Sequence, residues 1–263
     1  MPNAETITSA ANPLLKDVRR AIGRGGLTQD GLCVAETFHL LEEALRSRCE
    51  VKAVLLAESA EGRAGRLRGI RVAVLPDALL QSLSGTESAQ GVIALVKPPV
   101  WTIDDLFRER ALTVVLDGVQ DPGNAGTIVR AAEAFGATGT IFVKGSVSPY
   151  NPKTMRASAG SLFRAPFVSG VDAASTLGAL AQHEVDIYAT VPAGNGGARA
   201  LGEVDLTRPC ALIVGSEARG VSADLRAGAL DLFIPTEHVE SLNAAMACGI
   251  LLYEAWRQRS LPT

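Results

Sequence analysis

Apolar residues along this chain follow two rhythms: short continuous runs, and longer stretches that repeat every three to four positions. Residues 113–116 form a β-branched apolar run, the mark of a buried strand. The run stops at Asp117-Gly118 and enters a turn rich in Asp, Pro and Gly. Ile128, Ala131, Ala132 and Phe135 then recur at helical spacing, with Asn124 expected at the N-cap and Gly136 just past the last turn. A second strand run at 140–143 completes a βαβ unit. Further strands are expected at 186–191, 210–214 and 232–234. A long helix is expected to open at 240–243 and continue to about Arg257, with Ala245, Cys248, Leu252 and Trp256 facing inward.

The first 97 residues repeat this alternation on a smaller scale. Helices are expected at 13–22, 37–45 and 76–83, and strands at 31–35, 51–56, 71–75 and 91–96. A basic helical piece carries Arg63, Arg66 and Arg68. Such alternation predicts a small three-layer α/β/α module. Lys97-Pro98-Pro99-Val100-Trp101 is the expected boundary, because two prolines stiffen a connection that neither sheet nor helix continues through. The domains are therefore read as 1–97 and 98–263.

Composition narrows the classes. At 263 residues and 47% hydrophobic, the chain has ample material for a core. No apolar run approaches the roughly 18 residues of a membrane span, and Met1–Glu5 lacks a basic segment before an apolar core. Neither a membrane segment nor a signal peptide is expected, which points to the cytoplasm. Cys33, Cys49, Cys210 and Cys248 show no zinc-ligand or CxxC spacing, so reduced thiols and no metal site are expected. The net charge of −3 gives no general pull toward nucleic acid, so any RNA contact needs a local patch. Lys16, Arg19, Arg20 and Arg24 form one, readable as a solvated face or as a phosphate-contacting surface.

Three expected strands, at 113–116, 186–191 and 210–214, end in polar, glycine-rich loops. In open α/β sheets ligands collect at such carboxyl ends. Taken singly, Asn124, Ser241 and Asn243 read as caps, Glu217 as a surface partner of Arg219, and Arg130 as solvent-facing. Their joint placement on loops after separate strands favours a site. Gly118, Gly123 and Gly126 do not form G-x-G-x-x-G, which argues against a nicotinamide-dependent oxidoreductase. A non-catalytic RNA-binding protein is the remaining rival class.

Three stretches carry a resemblance. Asp121-Pro122-Gly123-Asn124-Ala125-Gly126-Thr127-Ile128-Val129-Arg130 is followed by Ile213-Val214-Gly215-Ser216-Glu217-Ala218-Arg219-Gly220. Ile234-Pro235 then precedes Glu240-Ser241-Leu242-Asn243 and Gly249-Ile250-Leu251-Leu252-Tyr253-Glu254. In this order they resemble the motifs of the SpoU (TrmH-like) RNA ribose 2′-O-methyltransferases. Asn12-Pro13, Glu36 and Thr86-Glu87-Ser88-Ala89-Gln90-Gly91-Val92 resemble that family's ribosomal-protein-like substrate-binding domain. One departure is the loop Thr236-Glu237-His238-Val239-Glu240, where many relatives have a glycine; His238 reads as a loop residue.

The resemblance implies an α/β protein with a small N-terminal α/β/α module and a C-terminal, trefoil-knotted SPOUT-type methyltransferase domain. It implies S-adenosylmethionine as cofactor, a homodimer, and RNA as substrate, with rRNA ahead of tRNA. By the same resemblance Gly215, Ile234 and Leu242 contact the cofactor largely through backbone, Thr190 is a further candidate, and added bulk at Gly215 is expected to crowd the ligand. Asn124, Arg130, Glu217, Ser241 and Asn243 match the catalytic region. A guanidinium, with a pKa above about 12, makes a poor base. Arg130 is therefore expected to clamp RNA phosphate and the developing alkoxide.

Overall fold

The computed structural model describes residues 4–260 except 68, 85–89, 195 and 240. Arg68, Thr86, Glu87, Ser88, Ala89 and Glu240, and the side chain of Arg66, lie outside the described residues. The chain divides into two compact units. One comprises Met1–Val100 with Tyr150–Arg164, the other Trp101–Pro149 with Ala165–Thr263.

The first unit holds a mixed five-stranded sheet made of β1 (Ala4–Thr6), β2 (Cys33–Ala35), β3 (Val51–Ala57), β4 (Arg71–Leu75) and β5 (Val92–Val96), in the order β1-β4-β3-β5-β2. β1 and β3 run parallel to β4, while β5 is antiparallel to β3 and β2. Its helices are α1 (Pro13–Arg24), α2 (Phe38–Arg46) and α3 (Asp77–Gln81), and Glu58–Arg66 forms 3-10 turns. α1 starts where Asn12 accepts the Leu14 N–H at 2.9 Å with Pro13 in the first turn, and stops at Gly25, whose φ of 61° suits a residue without Cβ. Several elements differ from expectation, among them the strand expected over 31–35, which shortens to Cys33–Ala35. β1 is too short and polar for its period to show, yet pairs in register with Val72–Val74. The helix expected over 76–83 shortens to Asp77–Gln81, with Pro76 as its N-cap.

In the second unit β6 (Leu112–Asp117) leads through α4 (Pro122–Ala134) to β7 (Gly139–Val143). The chain then contributes α5 (Pro152–Ala157) to the first unit. It returns as β8 (Phe167–Val171), α6 (Ala173–Gln182), β9 (Asp186–Thr190), β10 (Arg199–Ala200), β11 (Cys210–Gly215), α7 (Ala223–Arg226), β12 (Leu230–Phe233) and α8 (Ala244–Ser260). The seven strands form one all-parallel sheet in the order β10-β12-β9-β11-β6-β7-β8. β6, β7 and β11 are buried at every position, as inner strands covered on both faces require.

Tyr150–Arg164 lies within the chain segment read from sequence as the second domain, and it packs with the first unit. Glu36, only 3% exposed, pairs with Arg156, and Glu43 pairs with Arg164 and with Arg46. Met155, Leu162 and Phe163 are buried in the same segment. A buried carboxylate without its partner is costly, so these pairs tie the segment to α2 and the chain just before it.

Two helix termini shape the site. α4 is capped by Asp121, whose Oδ1 accepts the Asn124 N–H at 2.7 Å, and Pro122 occupies the first turn. Asn124 is therefore not the cap that its position relative to the apolar repeat suggested, and its side chain is free for other partners. At the far end Gly136 donates to the Glu133 carbonyl and Ala137 to the Ala132 carbonyl, a Schellman closure. α8 is capped by Asn243, whose Oδ1 accepts from Ala245 and Met246 at 2.9 and 3.2 Å. Ala245, Cys248 and Leu252 face inward as expected, but Trp256 is 45% exposed and stands beside Tyr253 and Phe135.

Candidate functional site

β9, β11 and β12 each end at one cavity of about 570 Å³. Thr190 closes β9, Gly215 closes β11, and Ile234 follows β12; the chain entering α8 adds Ser241, Leu242 and Asn243. All four expected cofactor residues, Thr190, Gly215, Ile234 and Leu242, thus line one space, with Glu217, Ser241 and Asn243 among the other lining residues. The volume lies within the roughly 300–1,000 Å³ of small-molecule sites.

The loop after β11 is tightly built. Ser216 and Gly220 exchange both backbone hydrogen bonds, at 3.2 and 2.8 Å, and Ser216 Oγ accepts the Arg219 N–H at 3.2 Å. Beyond the loop, the buried Asp117 carboxylate accepts the Ser222 N–H at 2.6 Å. A Cβ on Gly215 would stand 2.1 Å from the Gly220 carbonyl carbon and 2.3 Å from the Val221 nitrogen. Glycine is required here by the loop's own backbone, a constraint that comes in addition to any approach of a ligand.

A chain of side-chain hydrogen bonds crosses the three loops. Asn243 Nδ2 donates to Asn124 Oδ1 at 3.0 Å, and Asn124 Nδ2 donates to Glu217 Oε1 at 2.5 Å. The residues come from positions 93 and 119 apart in sequence. Arg130 is exposed and does not line the cavity. Six residues separate it from Asn124, which leaves the two about 120° apart around a helix of 3.6 residues per turn. Among the described residues Arg130 has no ion-pair or hydrogen-bond partner. His238 is exposed and, among the described residues, meets only its neighbour Glu237, at 3.7 Å.

Sequence reasoning left out the cavity's other charged groups and the carboxylate behind the loop. Arg226 lines the cavity and is held by Asp231 in a two-pronged pair at 2.8 and 2.5 Å, and that hydrogen bonding keeps the Asp231 carboxyl below its ordinary range. Asp117 ends a buried strand, and a lone carboxylate after an apolar run was the available signal for it.

The fold is that of an α/β protein with a cavity over the carboxyl ends of a parallel sheet, where such sheets collect ligands. The profile of the SpoU rRNA Methylase family matches residues 111–253, more than half of the chain, and that described as RNA 2′-O ribose methyltransferase substrate binding matches residues 37–101. The chain is 34% identical to an uncharacterized tRNA/rRNA methyltransferase of Synechocystis sp., over 97% of this chain and 94% of that protein. It is 32% identical to the 23S rRNA (guanosine(2553)-2′-O)-methyltransferase RlmP of Bacillus subtilis, over 94% and 97%. The SpoU methyltransferase AviRb from Streptomyces viridochromogenes, solved in complex with the cofactor AdoMet, superposes with a TM-score of 0.84 at 29% identity, covering 94% of this chain and 98% of that one. This chain belongs to the SpoU rRNA methylase family.

Proposed function

We propose that this protein transfers a methyl group from S-adenosylmethionine to a ribose 2′-hydroxyl of ribosomal RNA. The observation that carries the reading is the Asn243–Asn124–Glu217 hydrogen-bond chain beside a cavity lined by Thr190, Gly215, Ile234 and Leu242. The cavity suits the cofactor: apolar Val191, Val214, Ile234 and Leu242 offer a bed for a purine, while Thr190, Ser216 and Ser241 offer polar edges.

When bound, S-adenosylmethionine supplies an electrophilic methyl carbon on a sulfonium. The chain's own residues bind and orient. Thr190, Gly215, Ile234 and Leu242 hold the cofactor, and Asn124, Glu217, Ser241 and Asn243 fix the geometry of the reacting groups. Positioning of two reactants is worth up to about 7–11 kcal/mol. Arg130, without an ion-pair or hydrogen-bond partner among the described residues, takes the RNA phosphate and the developing oxyanion. Since guanidinium stays protonated, the hydroxyl proton leaves through phosphate or water rather than through Arg130.

The protein acts as a homodimer in this reading. Met246, Tyr253 and Trp256 form an exposed apolar stripe along α8 at seven- and three-residue spacing, continued by Phe135 at the C-cap of α4. A second copy covering that stripe would place a partner beside α4, the helix that carries Arg130. The C-terminal unit is read as trefoil-knotted, with the chain between β11 and α8 forming the cofactor loops, and the enzyme as cytoplasmic. The first unit, with exposed Lys16, Arg19, Arg20 and Arg24 on α1, holds the RNA.

Calorimetric titration with S-adenosylmethionine and S-adenosylhomocysteine tests the assignment. Competing, micromolar-scale binding is expected. Folded protein that gives no heat with either ligand contradicts it.

A further inference from the structure

The cavity is lined by two arginines that differ in their commitments. Arg226 is neutralised by the two-pronged contact with Asp231. Arg219 is exposed and, among the described residues, its guanidinium has no ion-pair or hydrogen-bond partner. Glu217, two residues earlier on the same loop, is engaged by Asn124.

The loop that carries Arg219 is held at several points. Ser216 and Gly220 close it with paired backbone bonds, Ser216 Oγ fixes the Arg219 N–H, and Asp117 holds Ser222 just beyond. Gly220, at φ 67°, makes the closing turn. A cation on a pre-organised loop loses less freedom on binding than one on a mobile loop, so its contact retains more of its strength. A guanidinium without a partner among the described residues, on a residue that lines a cavity, fits an anionic oxygen pair, which it engages bidentately.

Resting on the methyltransferase reading, we infer that Arg219 is an anion-contacting residue of the site. It takes either the carboxylate of the cofactor's amino-acid end or a phosphate of the RNA. The shared chemistry is a pair of anionic oxygens, and the two sources separate experimentally.

The probes are S-adenosylhomocysteine, which carries the carboxylate, and 5′-methylthioadenosine, which lacks the amino-acid end. Both are titrated into full-length wild type, Arg219→Ala and Arg219→Lys, alongside steady-state kinetics with rRNA. A cofactor-carboxylate contact predicts that Arg219→Ala weakens S-adenosylhomocysteine roughly tenfold, the scale of a charge-assisted hydrogen bond, and leaves 5′-methylthioadenosine unchanged. A phosphate contact predicts that both small ligands bind as before while KM for RNA rises, with a salt slope shallower by about 0.7. In either case Arg219→Lys recovers only part of the loss. Equal weakening of both small ligands would show a loop defect and overturn the inference. So would Arg219→Ala values within twofold of wild type for both ligands and RNA. Wild type that binds neither small ligand would instead remove the methyltransferase reading itself.

Discussion

Asn243 caps α8 and, through the same side chain, orients Asn124. Its Oδ1 accepts the Ala245 and Met246 N–H groups, so its Nδ2 must face away from the helix, where it donates to Asn124 Oδ1 at 3.0 Å. Asn124 is then left with its amino group toward Glu217, which accepts at 2.5 Å. A helix cap thus fixes the donor and acceptor sense along the chain, with Glu217 Oε1 as its terminal acceptor.

Asn243→Asp separates capping from this relay. Aspartate caps a helix as well as asparagine does, and its charge suits the helix N-terminus. It cannot donate to Asn124, which either loses its partner or flips its oxygen toward Glu217. Stability should stay within about 2 °C in Tm, while methyl transfer should fall by roughly tenfold or more. A large drop in Tm with unchanged turnover per folded enzyme would show that Asn243 serves the helix alone.

Gly215→Ala tests the loop after β11. The added methyl overlaps the Gly220 carbonyl, and both lie on backbone that carries the Ser216–Gly220 bonds. Because backbone rather than a flexible side chain must shift, affinity for S-adenosylhomocysteine should fall by about tenfold or more. Gly249→Ala is the control, since among the described residues no atom beyond its chain neighbours and its own helix backbone lies within 4 Å of its Cβ position. Equal affinity in both variants would mean that the loop does not shape the cavity.

Much of this architecture was legible in the chain, and its misses have physical causes. The strands of the second unit showed because inner parallel strands are continuous apolar runs. The three motif loops showed because they break those runs. Asn124 was misread as a cap because side-chain type alone suits either place; Pro122 at the first helical turn was the overlooked sign that Asp121 must precede it. Trp256 was assigned inward by hydrophobicity, yet the period of α8 places it beside Tyr253 on the exposed face. The Asn243–Asn124–Glu217 chain joins residues 93 and 119 apart, and no local pattern reports that.

The segment Tyr150–Arg164 changes what truncation should do. A fragment beginning at Trp101 retains the whole parallel sheet but also carries Met155, Leu162 and Phe163, which are buried in the first unit. It should aggregate or bind a hydrophobic dye, and replacing 150–164 with a short Gly/Ser linker should relieve this. A Trp101 fragment as well behaved as the full chain would argue that the segment needs no partner.

Thiol titration gives a pH prediction. Burial pushes Cys33 and Cys248 up to about 12 and Cys210 up to about 11, because the thiolate loses its hydration. Unfolded cysteines ionise near about 8.5. Their contribution to stability is therefore complete below that pH and declines as pH rises toward the folded values. Tm should fall between pH 8 and pH 10, and native protein at pH 8 should be alkylated first at half-buried Cys49. Rapid labelling of Cys248 in folded protein would contradict the burial.

Methyl transfer to a ribose oxygen is read out by the fate of a labelled methyl group. Full-length protein is incubated with methyl-labelled S-adenosylmethionine and unmodified rRNA, and the RNA is then hydrolysed in alkali. Label should appear in alkali-resistant dinucleotides, since a 2′-O-methyl group blocks cleavage at its own phosphodiester. Arg130→Ala should cut that label by about a hundredfold or more while leaving S-adenosylhomocysteine affinity within twofold. Label recovered in mononucleotides or bases, or equal label from Arg130→Ala, would contradict the account.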